Sequence, residues 1–134
     1  MKKLVIVLNL VCMFALGSFA QSMYGDAAKA DVKMKYVYSF EEALKRAKEE
    51  HKLIFFNCFA DWAIPCHSMN KLVFSDQEFA DWMDKHFVNL FIDVTSREGR
   101  PLAEKYRIRF QAHYLVLDEN GQIVHRIVGG DQIP

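Results

Sequence analysis

Residues 59–69 read Phe59-Ala60-Asp61-Trp62-Ala63-Ile64-Pro65-Cys66-His67-Ser68-Met69, and they follow directly on the short, nearly unbroken apolar run Leu53 to Phe59. That run is rich in aromatics and bounded by charge before it and by Asp61 after it. Its length and pattern predict a central strand covered on both faces. The quoted segment then leads from this strand into the next helix.

Outward from this point, the pattern becomes that of an α/β domain. On the N-terminal side, Ser39-x-x-Glu42 forms a capping box, and Phe40, Ala43, Leu44 and Ala47 follow at helical spacing, so a helix is expected to about Glu50. On the C-terminal side, a second capping box, Ser75-x-x-Glu78, opens a helix with Phe79, Trp82, Met83 and His86 on one side. Val88 to Val94 then reads as another buried strand. Strand, helix and strand in that order imply a parallel pair with a crossover. Pro101 suits the first turn of a short helix through Tyr106, and Tyr114 to Leu117 with Gln122 to Val128 flank Asp118-Glu119-Asn120-Gly121 as a hairpin. The expected fold is a mixed parallel and antiparallel sheet flanked by helices, over residues 35–134. One more helix is expected after Gly129-Gly130 to cover a sheet face. The chain stops at Pro134, so the domain is expected to be C-terminally incomplete.

With 134 residues, 51% hydrophobic and 25% charged, the chain suits one globular domain. Seventeen Lys and Arg balance seventeen Asp and Glu, so there is no overall basic field to hold a nucleic-acid backbone. Met1-Lys2-Lys3 precedes an apolar run from Leu4 to Leu16 broken only by Asn9, then Gly17-Ser18-Phe19-Ala20. This reads as a signal peptide over residues 1–20, cut after Ala20. The run falls short of the roughly 20 residues of a membrane span. An uncleaved anchor is the alternative. The mature chain is therefore expected to be exported, periplasmic or extracellular, without a membrane span. Residues 21–34 read as a flexible leader. Export removes Cys12 and leaves Cys58 and Cys66, which do not make a disulfide framework.

The quoted segment resembles the active-site stretch of the thioredoxin-like family, roughly F-x-A-x-W-C-x-P-C-x-x-M. Trp62, Pro65, Cys66 and Met69 stand where that pattern wants them. Tyr106-Arg107-Ile108-Arg109 and Tyr114 to Gly121 resemble the family's Y-x-V-x stretch and closing hairpin, so the similarity covers about residues 35 to 130. The resemblance implies a thioredoxin-like fold related to thiol-disulfide oxidoreductases. The family's chemistry needs an attacking thiolate at a helix start and a second thiol to resolve the mixed disulfide. Ala63 occupies the attacking position, and only Cys66 keeps its sulfur. Asn57 falls at the position of the family's buried acid, where an amide cannot exchange a proton near neutral pH. Ala112 falls at the position of its cis-proline. A cis bond before a non-proline residue costs about 2.5–4 kcal/mol, so Gln111-Ala112 is expected to be trans and its loop reshaped.

These departures lead to an exported thioredoxin-fold binding module with its dithiol catalysis lost and no cofactor. It would hold a polypeptide or a redox protein around Trp62, Ile64, Pro65, Gln111 and Ala112. The alternatives are a monothiol oxidoreductase using Cys66 and a metal site at Cys66, His67 and His113. Thiolate and imidazole suit zinc or copper, but this spacing matches no recognised ligand pattern. Solvated histidines are the plainer reading of His67 and His113. Cys58 reads as a small hydrophobe of the strand, with no bridge to Cys66. His51, His86 and His125 read as surface residues. Phe74, Phe79, Trp82 and Phe87 read as core.

Overall fold

A computed structural model describes residues 32–129. The expected signal peptide, its cleavage point, most of the leader and the segment after Gly129 lie outside the described residues. The elements run β1 (Tyr36–Val37), α1 (Phe40–Glu50), β2 (Leu53–Phe59), α2 (Ile64–Leu72), α3 (Gln77–His86), β3 (Phe87–Asp93), α4 (Arg100–Lys105), β4 (His113–Leu117) and β5 (Ile123–Val128). They form a five-stranded sheet in the order β1-β3-β2-β4-β5. β2 pairs parallel with β3, and α2 and α3 make the crossover. β4 pairs antiparallel with both β2 and β5.

Local chemistry accounts for most boundaries. Ser39 caps α1, its Oγ accepting the Glu42 N–H at 3.3 Å, and the helix ends where His51 turns left-handed at φ 52°. For α3 the cap is Asp76 rather than Ser75. The Asp76 carboxylate accepts the Phe79 N–H at 2.7 Å, while the Ser75 hydroxyl turns back to Lys71 O. The residues that α3 buries against the core are Ala80 and Met83. Trp82, expected in the core, lies about 100° round the helix from Met83, so it is exposed and stacks on His86 with ring centroids 4.4 Å apart.

Strand β2 lies between two neighbours, and period-two alternation sends its side chains to two cores. Ile54, Phe56 and Cys58 pack with Ala43 and Ala47 of α1 and with Tyr106, Leu115 and Leu117. Phe55 and Phe59 point the other way, into a group of rings. There Phe55 stacks on Tyr114 at 5.7 Å, Phe74 meets Tyr114 at 5.7 Å, and Phe59 meets Phe91 at 4.9 Å. The hairpin is held by the buried Tyr106, whose hydroxyl donates to Gly121 O at 2.8 Å. Burial pushes the Tyr106 phenol up to about 12. Tyr106→Phe leaves that buried carbonyl without its partner and is expected to cost about 1–2 kcal/mol, read as a lower urea midpoint at unchanged slope.

Candidate functional site

The end of β2 and the start of α2 present the residues that the sequence singles out. The chain leaves Phe59, turns so that Ala63 N–H donates to Ala60 O at 3.0 Å, and enters α2 with Ala63 as its N-cap. Pro65 sits in the first helical turn, where its missing N–H costs nothing. Cys66 N–H donates to Ala63 O at 3.0 Å, which stacks Cys66 one turn behind residue 63. Ala63 has no side-chain cap to offer, and the first turn carries no acidic residue.

Cys66 is 2% exposed and is a free thiol, as is Cys58. Burial pushes the Cys66 thiol above its ordinary value. A backbone hydrogen bond from Ala60 pulls it down, and the Asp93 carboxylate adds to the rise. Its Sγ donates to Gln111 Oε1 at 3.5 Å. Cys58, on the opposite face of β2, is held still further above its usual range, by burial first.

The side chains that β2 and β4 place beneath the site at Asn57 and Tyr114 are neutral. Asn57 is buried, faces Tyr114 across the β2–β4 pairing, and donates through Nδ2 to the Tyr36 hydroxyl at 3.3 Å. Burial raises the pKa of both Tyr36 and Tyr114, so neither phenol can take a proton near neutral pH. The amide of Asn57 has no proton to exchange there.

The Gln111–Ala112 bond is cis, correcting the trans expectation. That expectation weighed an isolated peptide bond, whereas Ala112 is wholly buried and its carbonyl accepts the Gly129 N–H at 2.8 Å. The loop meets α2 where Gln111 accepts from Cys66. Around this junction Trp62 is 71% exposed, Ile64 78% and Phe110 67%. Pro65 is exposed as well, Gln111 is half-buried, and Ala112 forms the floor. Phe110 was not singled out by the sequence reading. Its signal was a lone aromatic after Arg107-Ile108-Arg109 in an otherwise polar run.

The two candidate histidines have separate partners. His67 Nε2 contacts Asp61 O at 2.6 Å, and its ring meets Phe59 edge-on at 5.4 Å. His113 is buried at 2% exposure, opposite Cys58, and binds Phe110 O and Arg126. It is not a solvated residue. Among the described residues no group of three or more His, Cys, Asp or Glu is arranged to hold a metal ion.

Residues 35–118 match a family model described as thioredoxin-like. Thioredoxin H3 of Arabidopsis thaliana is 31% identical over 93 residues, which are 69% of this chain and 73% of that protein. The solution structure of a candidate disulphide-isomerase from Bacteroides thetaiotaomicron is 39% identical, covers 77% of this chain and 84% of that one, and superposes with a TM-score of 0.64. A thioredoxin from Thermus thermophilus shares the fold at 24% identity, with 73% and 77% coverage and a TM-score of 0.64.

Proposed function

The chain belongs to the thioredoxin-like family, and from that premise we propose that it is a polypeptide-binding member whose own dithiol cycle has been lost. The surface at the start of α2 holds an extended polypeptide or a redox protein without turning over its disulfides. The observation that carries this reading is a methyl group at residue 63 beside a buried, protonated thiol at Cys66. Disulfide exchange in the family's manner needs an exposed thiolate to attack and a second thiol to resolve. Ala63 has no sulfur, and Cys66 is buried with its thiol donating to an amide oxygen, Gln111 Oε1, rather than to a base.

What remains is an apolar rim. Exposed Trp62, Ile64 and Pro65 precede Cys66 along the chain, and exposed Phe110 adjoins its hydrogen-bond partner Gln111. Exposed apolar patches of this kind mark binding surfaces, and a tryptophan at the centre of one is a frequent anchor. The apolar run of residues 4–16 followed by small residues supports action outside the cytoplasm. The balanced charge gives no support to a nucleic-acid partner.

Titration with reduced, carboxymethylated insulin B chain tests the binding, followed through Trp62 fluorescence in a Trp82→Phe background. Saturable binding is expected, and Trp62→Ala with Phe110→Ala together should weaken it at least about tenfold. Cys66→Ala should leave it unchanged, and dithiothreitol-driven reduction of insulin should run at the buffer rate. Turnover above that rate, with fast alkylation of Cys66 in the folded protein, would select the monothiol reading instead.

A further inference from the structure

Seven residues, 106–112, connect α4 to β4 and carry Phe110 and Gln111 to the rim. Their base is closed by one side chain from β5. Arg126 Nη2 donates to Tyr106 O at 2.7 Å, where the loop begins, and Nη1 donates to His113 Nε2 at 2.6 Å, where it ends. A guanidinium can only donate, so Nε2 must be the accepting nitrogen and the proton of a neutral imidazole lies on Nδ1. That Nδ1–H points at Phe110 O, 3.2 Å away, inside the loop. Neutral His113 therefore satisfies Arg126 on one side and holds the Phe110 backbone on the other.

A second proton on His113 would fall on Nε2, the atom that accepts from Arg126. The hydrogen bond would then become two donors and two cations in contact. The groups facing His113 offer no relief. Across the sheet, β2 presents the Cys58 thiol; β5 presents Arg126 and Val128; and Tyr106 at the end of α4 contributes a phenol that already donates to Gly121 O. The other packed residues of that core are apolar, and no carboxylate perturbs the ring.

We propose that His113 and Arg126 form a proton-operated clamp on the loop of residues 106–112. Neutral His113 keeps Phe110 and Gln111 in place at the rim, and protonated His113 expels Arg126, loosens the loop and weakens polypeptide binding. The clamp rests on the binding role proposed above for that rim. The buried imidazole beside Arg126 has its pKa lowered from the ordinary 6.5, by burial first and by the Arg126 charge second. An unfolded imidazole takes its proton first as the pH falls. The clamp's contribution to stability is thus complete above 6.5 and is lost as pH drops through the lower folded value.

Nuclear magnetic resonance of the whole protein between pH 7.5 and 5 tests the clamp without any ligand. The amide signals of Phe110, Gln111 and Ala112 should move in step with the His113 ring, and their exchange protection should fall at least about tenfold on protonation. Affinity for carboxymethylated insulin B chain should weaken about fivefold or more over the same step. His113→Gln keeps an acceptor and a donor without a titrating charge and should abolish the transition. Arg126→Gln should move the step upward toward 6.5, and it decides the matter should His113→Gln not fold. Loop signals that ignore His113, an unchanged transition in His113→Gln, or flat affinity across a titrating loop would each overturn the clamp. A peptide that binds at no pH would sink the binding role alone, because the loop titration is read without it.

Discussion

Ala63→Cys is expected to turn this chain into a dithiol reductase, with dithiothreitol-driven insulin reduction on the order of 10²-fold or more above the parent. The scaffold for the missing thiol is intact. Residue 63 is the N-cap of α2, with Cys66 one turn behind it and the Cys66 N–H bound to its carbonyl. A sulfur there would lie at the positive end of a nine-residue helix whose first turn holds no acid and whose cap claims no amide. Both features favour the thiolate. The three-residue spacing lets the new thiol pair with Cys66, so oxidation should remove two titratable thiols from the folded variant. The resolving step remains handicapped. Burial holds Cys66 protonated and Asn57 cannot take its proton, so the activity should climb steadily with pH rather than plateau near neutrality. A variant that forms the disulfide yet stays silent would show that the rim, and not residue 63, excludes protein disulfides.

Asn57→Asp should cost stability steeply and in a pH-dependent way. The side chain is buried, with Tyr36 as its hydrogen-bond partner and Tyr114 opposite in the sheet. Desolvation of a carboxyl in such a place raises its pKa, by about 3 units on the general scale, and each unit is worth about 1.4 kcal/mol. A raised folded pKa means that below an unfolded carboxyl's value of about 3.9 the protonated variant should match the parent. As the pH climbs past that point, the unfolded state releases its proton first. Stability then falls until the folded carboxyl ionises, by about 4 kcal/mol in all. Chemical denaturation at pH 4 and pH 8 checks this directly. A loss that is the same at both values would mean that packing and not charge sets the cost. Combined with Ala63→Cys, the same carboxylate would supply the missing proton acceptor and shift the reductase profile to lower pH.

The helix and strand framework was legible because it is written in local periodicity. The Leu53–Phe59 run is β2 to the residue, and Ser39 caps the helix that ends at Glu50. The side chains at residues 63 and 57 were legible too, since the presence or absence of a sulfur or carboxyl is a matter of identity at one position. Trp82 misled because α3 buries only the narrow stripe of Ala80 and Met83, and Trp82, about 100° round the helix from Met83, falls outside it. His113 misled for a different reason. Its neighbours Cys58 and Arg126 lie far along the chain, and only the sheet brings them together.

Sequence alone determined the fold family and the side chains that stand at positions 57, 63 and 66, because hydrophobic period and side-chain identity are local properties. Tertiary structure alone decided that Cys66 is sealed, that Phe110 joins the rim, that Gln111–Ala112 is cis, and that Arg126 closes the loop through His113. Burial and the partners of a buried polar group depend on which distant segments share a core. That is fixed by strand order and register, which no short stretch of sequence contains.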